Sequence, residues 1–143
     1  MIVLDTTVLV YAVGDVHEFR GPCRQVLEAV QAGRLEASTT VEVIQEFAHV
    51  RARRRDRADA AELARAYLEL LSPLIVAEER DLVEGLSLFQ RHPQLGCFDA
   101  VLAAVARSLS ARAIASADAA YGRVPRLAHV VPDATGVAGL LGR

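Results

Sequence analysis

The chain contains no lysine: all 16 of its basic residues are arginine. That gap removes several mechanisms. A phosphate-binding loop of the Walker A kind needs its lysine on the nucleotide phosphates, and Schiff-base catalysis needs a free amine. Cysteine is nearly as scarce, with only Cys23 and Cys97. Two residues make no disulfide framework, so both are expected to be reduced, inert thiols of a cytoplasmic protein. Aromatics make up 5%, leaving few side chains to stack on bases. No run approaches the roughly 18 uninterrupted apolar residues of a membrane span. The most apolar region, Phe98 to Tyr121, is broken by Asp99, Arg107, Arg112 and Asp118. No basic segment precedes the first apolar run, which argues against a secretory signal. A formal net charge of −2 argues against holding nucleic acid by general positive charge.

What is present is an alternation of short apolar, β-branched runs and longer helical patterns. A chain of 143 residues, 52% of them hydrophobic, makes one domain spanning residues 1–143 with a sizeable core. Strands are expected at Ile2–Leu4, Leu35–Ser38, Pro73–Ala77, Ala113–Ser116 and His129–Val131. A short helix or turn is expected over Thr7–Val13, and helices over Arg24–Gln31 (with Gly33 as its stop), Thr40–Arg53, from a cap at Asp56 to Leu71, over Arg80–Arg91, and over Phe98–Leu109. Strands alternating with helices imply an α/β sandwich around a mostly parallel sheet, and the unbroken apolar strands imply burial on both faces.

Against that apolar background the acids stand out. "VLDTTVLV" places Asp5 directly after the first strand, and "AIASADAAY" places Asp118 in the same way after a later one. Open α/β sheets bind ligands beyond the carboxyl ends of their strands, although a helix cap or Asx turn explains either residue singly. Asp99 opens the helix "CFDAVLAAVARSL", apolar on nearly every side. The helix dipole offers it about 0.3–1 kcal/mol, against several kcal/mol for an uncompensated buried charge. Glu42 and Glu46 share one helix face. In "TTVE" Thr39 caps and Glu42 reaches back from the third helical position, a capping box. Glu46 has no such local task and is assigned to the site, with Glu42 in reserve. Acids from separate segments, with no lysine to pair them, point to a hard divalent cation such as magnesium or manganese. Phosphodiester hydrolysis is the chemistry such a site supports.

"MIVLDTTVLV", "ASTTVEVIQEFAHV", "GCFDAVLAAVA" and "AIASADAAY" resemble, in order, the four motifs of the PIN-domain ribonucleases. Length and compactness most resemble the VapC-type toxins of bacterial toxin–antitoxin pairs. The resemblance spans essentially the whole chain and implies a Rossmann-like three-layer α/β/α sandwich. It also implies magnesium- or manganese-dependent cleavage of RNA (tRNA, rRNA or mRNA), a homodimer, and a cognate antitoxin covering the site. Carried over by position, the acidic set is Asp5, Glu46, Asp99 and Asp118. Thr7 and Ser116 stand where the family keeps supporting hydroxyl or amide groups, and Tyr121 matches a frequent aromatic. Some members carry a further acid after the last aspartate, where this chain has Ala119 and Ala120. One firmly held ion, with a second arriving alongside RNA, follows from that departure.

Arg51, Arg53, Arg54, Arg55 and Arg57 form an arginine-rich stretch. It reads equally as a grip on RNA phosphates, with Arg51 and Arg54 the candidate contacts, and as a solvated helix end. His17 lies in the loop after the first helix, in reach of a substrate there; His49, His92 and His129 read as structural, and no histidine pair has metal-ligand spacing. The first motif also resembles that of haloacid-dehalogenase-type phosphatases, which normally need a lysine this chain lacks. A non-catalytic module that binds RNA or a partner is the remaining alternative.

Overall fold

The computed structural model describes residues 1–142. At its centre β1 (Ile2–Leu4) pairs in parallel with β2 (Ala37–Ser38) on one side and β3 (Ala113–Ala115) on the other. β4 (His129–Val130) adds to the outer edge of β3, also in parallel. Ile2, Val3 and Leu4 are wholly buried, as is Ile114, because helices cover both faces of the sheet. Parallel pairing forces each connection to cross over through such a layer.

The crossovers are α1 (Thr6–Val13), α2 (Arg20–Gln31), α3 (Val41–Arg54), α4 (Arg57–Leu71), α5 (Glu79–Arg91) and α6 (Cys97–Ser108), and α7 (Ala134–Leu140) closes the chain. The result is the expected α/β/α sandwich. α6 buries Ala100, Ala103, Ala104 and Ala106 beside Leu102 and Val105, small residues that let neighbours approach. Gly85 of α5 meets α6 so closely that a Cβ would lie 2.7 Å from Val101 Cα.

Several boundaries differ from the sequence expectation. α2 begins at Arg20, with Pro22 in its first turn, where a missing N–H is no loss. Pro73–Ala77 is not a strand: only Ile75 bridges to Thr40, its N–H donating to Thr39 O at 2.9 Å. Pro73 supplies no N–H to a ladder, and Ser38 Oγ donates to its carbonyl and to that of Leu71. A short 3₁₀ turn at Ala119–Arg123 and α7 stand where no element was expected. Among the described residues, no helix is long and apolar enough to cross a membrane.

Candidate active site

The chain leaves β1 for β2 on one side, and β3 pairs on the other, so the sheet's switch point falls between β1 and β3. Open α/β sheets have their ligand crevice there. Asp5 N donates to Ala115 O at 3.0 Å, which sets Asp5 beside Ser116 at the carboxyl edge of both strands. Asp5 does cap α1, accepting from Thr7 N at 3.4 Å. The cap explains little of its surroundings, however, because the residue is 3% exposed and gathers three hydroxyls. Thr7 Oγ1 donates to Asp5 Oδ2 at 2.9 Å and Ser116 Oγ to the same oxygen at 2.6 Å. Tyr121 OH donates to Oδ1 at 3.3 Å.

The supporting hydroxyls are themselves held. Thr7 Oγ1 accepts from Ala117 N at 2.9 Å and Ser116 Oγ from Asp118 N at 3.0 Å. Each thus uses its single proton on Asp5 and its lone pairs on the β3 loop. Asp118 caps the 3₁₀ turn, accepting from Ala120 N at 2.9 Å. His129 lies behind, its Nε2 2.8 Å from Ser116 O.

Glu46 reaches the same crevice from α3, fixed by a donation of 2.8 Å from Thr6 Oγ1. The expected capping box at Glu42 is absent. Thr40, not Thr39, caps α3 by accepting from Val43 N, which moves Glu42 one position too early to reach back. The Thr39 hydroxyl instead donates to Leu4 O at 2.7 Å, satisfying a carbonyl at the end of β1. Glu42 and Glu46 both line a cleft of about 240 Å³ with Asp5, whose far wall is Phe98, Val101, Leu102 and Val105 of α6.

Asp99 completes the constellation from the first turn of α6. Its carboxyl is pushed up from 3.8 to about 7, first by burial and then by the negative charge of Asp5, with smaller contributions from Asp118 and Glu46; the Tyr121 hydroxyl opposes the rise. Burial, with Asp5 and Asp99 beside it, holds the Tyr121 hydroxyl well above its ordinary value. Asp5, Glu46, Asp99 and Asp118 are therefore close enough to feel one another's charge. Among the described residues, no three acid, histidine or cysteine side chains are drawn into a ready-made ligand shell. The donor set nonetheless fits an oxygen-seeking cation such as magnesium, which keeps several waters and takes one or two carboxylates directly.

Of the arginines, Arg51 is committed elsewhere. Its fork ion-pairs with Asp59, holding that carboxyl below its usual value, and donates to Val13 O at 3.1 Å. Arg54 is exposed. His17 packs against Tyr11 and Phe19, with ring centroids 4.5 and 5.0 Å away. Cys23 and Cys97 are both free thiols, and burial pushes Cys23 up to about 12. Two site residues were not assigned from the sequence. Thr6 is adjacent to a recognised acid and carries the hydroxyl type that marks Thr7. Tyr121 gave only its aromatic character, with no sign that its hydroxyl turns to Asp5.

Residues 2–127 match the model of the PIN domain. Ribonuclease VapC7 of Mycobacterium tuberculosis (strain ATCC 25618 / H37Rv) is 53% identical over 146 aligned residues, covering 99% of each chain. Ribonuclease VapC23 of Mycobacterium tuberculosis (strain CDC 1551 / Oshkosh) is 36% identical over 102 residues, 69% of this chain and 78% of the relative. The phosphatase-like reading of the first motif finds no counterpart in these matches. With a parallel sheet whose switch point gathers the acids of all four motifs, the chain belongs to the PIN-domain family, in its VapC group.

Proposed function

We propose that this chain is a magnesium- or manganese-dependent endoribonuclease, the toxin of a type II toxin–antitoxin pair, hydrolysing RNA phosphodiesters at Asp5, Glu46, Asp99 and Asp118. The observation that carries this reading is the placing of acids from separate segments at the carboxyl edge of β1 and β3, Asp5 beside Ser116 and Glu46 in the same cleft. With them Asp99 is pushed up to about 7, by burial and then by the other acids. Carboxylates that repel one another in a crevice are relieved by a cation. The names of the relatives, both ribonucleases, supply the substrate class.

Asp5, Asp99 and Asp118 would hold the cation directly or through water. Bound there, it would activate water and stabilise charge on the phosphate. The chain's own groups do the rest. Thr7, Ser116 and Tyr121 fix the orientation of Asp5. Glu46, steadied by Thr6, is placed to orient the attacking water and take its proton. Arg54 is the candidate for an RNA phosphate; Arg51, spent on Asp59 and Val13, is withdrawn from that role.

Beside the cleft, α5 exposes Leu82, Val83, Leu86 and Phe89, and α6 exposes Phe98. A contiguous apolar face of this kind on a protein otherwise free to dissolve marks an interaction surface. It supports the expected homodimer and the docking of a cognate antitoxin, in a cytoplasmic setting.

The test is cleavage of end-labelled tRNA and ribosomal RNA by antitoxin-free protein with Mg²⁺, with Mn²⁺ and with EDTA, beside Asp99→Asn. Discrete metal-dependent cuts lost in the variant are expected. Folded protein that binds RNA yet cuts nothing with either metal would instead favour the non-catalytic binding module.

A further inference from the structure

Tyr121 is wholly buried, in the 3₁₀ turn that follows Asp118. Packing alone is served as well by phenylalanine, which brings no hydroxyl to desolvate. A buried hydroxyl costs free energy unless it is hydrogen-bonded. The hydroxyl of Tyr121 has one proton, and its geometric acceptor is Asp5 Oδ1 at 3.3 Å; the charge of Asp99 also acts on it.

The two oxygens of Asp5 are not equivalent. Oδ2 accepts from the Thr7 hydroxyl, the Ser116 hydroxyl and, at longer range, the Thr7 N–H. Its acceptor capacity is filled. Oδ1 accepts only from Tyr121, so it is the oxygen of Asp5 with a lone pair left for a ligand. The terminal torsion of an aspartate is soft. Three donors on Oδ2 already fix that torsion for the rigid carboxylate, and the Tyr121 hydroxyl adds the one contact on the Oδ1 side.

We propose that Tyr121 is a positioning residue for the cation, its hydroxyl holding Asp5 Oδ1 toward the crevice before any ion arrives. This rests on the metal-dependent reading above and deepens it. Oxygens already aimed lose less freedom when they close on an ion. Outer hydrogen bonds to metal ligands typically carry about 10–100-fold in affinity, and the long 3.3 Å contact places Tyr121 at the lower end.

The experiment is Mg²⁺ titration of the full chain by calorimetry and by tyrosine fluorescence, for the wild type and Tyr121→Phe. The chain has no tryptophan and its tyrosines are Tyr11, Tyr67 and Tyr121, so emission reports on them alone. The expected result is about ten-fold weaker Mg²⁺ binding in Tyr121→Phe with unchanged thermal unfolding in EDTA, and loss of the emission change seen in the wild type. Affinity within two-fold of wild type, or an emission change that persists without Tyr121, overturns the proposal. If Tyr121→Phe does not fold, Tyr11→Phe and Tyr67→Phe decide: an emission change surviving in both assigns it to Tyr121, and loss in either assigns it elsewhere and overturns the inference. A wild type that binds neither Mg²⁺ nor Mn²⁺ would sink the metal-dependent reading itself, a failure told apart because it precedes any substitution.

Discussion

Replacing Asp99 with asparagine should make the metal-free protein more resistant to unfolding as the pH rises, while disabling it as an enzyme. In the folded chain the Asp99 carboxyl is raised from 3.8 to about 7. Below the lower value both folded and unfolded states hold the proton, and the group costs nothing. Between the two values the folded state holds more protons than the unfolded one, so wild-type stability falls as pH rises; above about 7 the loss is complete. Asparagine keeps the shape and does not titrate. From pH 5 to pH 7 the gap between variant and wild type should widen at about 1.36 kcal/mol per unit, roughly 2–3 kcal/mol in all, and then level off by pH 8. For a chain of this size that is about 5–10 °C in melting temperature. The assay is thermal unfolding of both proteins in EDTA across pH 5–8. Parallel melting curves would refute the argument that Asp5, Asp118 and Glu46 press on Asp99. Added Mg²⁺ should then raise the wild-type midpoint and leave the variant's nearly unmoved.

The two glutamates of the cleft should separate cleanly: Glu46→Gln is expected to slow RNA cleavage by about 100-fold or more, and Glu42→Gln by no more than a few-fold in the same single-turnover assay. Arg51→Ala removes the ion pair with Asp59 and leaves Val13 O without its Arg51 donor, the lost hydrogen bond to Val13 O alone costing about 1 kcal/mol. Urea unfolding measures that loss, and the salt dependence of RNA binding should not change with it, whereas Arg54→Ala should reduce the salt slope by about one unit. Because a cation must displace the Asp99 proton, Mn²⁺ affinity should climb with pH up to about 7 and flatten above it. In Asp99→Asn that climb should disappear.

How much the sequence disclosed depended on whether local chemistry or distant neighbours decided each feature. β1 and β3 were legible because unbroken apolar runs have few alternatives to a buried strand. Asp5, Asp99 and Asp118 were legible because acids are costly in such runs. The cap of α3 was misplaced by one residue because Thr39 and Thr40 are chemically equivalent in sequence. What separates them is a hydrogen bond from Thr39 to Leu4 O, a partner far away in the chain. Pro73–Ala77 has the composition of a strand, but Pro73 has no N–H to offer a ladder and its carbonyl is taken up by Ser38. Arg51 looked like its arginine neighbours until Asp59 and Val13 O claimed it. α7 packs through Gly136, where a Cβ would collide with Val131 O, a contact invisible in a short, weakly periodic segment. Tyr121 declared its ring and concealed the direction of its hydroxyl.

The crevice also explains why hydroxyls, rather than cations, support its acids. An arginine beside Asp5 would have satisfied the carboxylate fully, and bidentate pairing is strong. It would also have occupied the ligand's place and neutralised the charge that draws a cation in. Among the described residues no arginine lines the cleft, and the chain has no lysine to put there. Threonine, serine and tyrosine orient Asp5 by donation while leaving its negative charge intact. Asp99 is raised in proton affinity first by burial and then by the negative charge of Asp5. The fold thus aims Asp5 by three hydroxyl donations and leaves Asp99 half-buried against the other acids, its proton affinity raised. At low pH a proton relieves that burial, and in the metal-dependent reading proposed above a divalent cation would take its place at neutral pH. Charge balance at this edge of the sheet is therefore left for a ligand to complete.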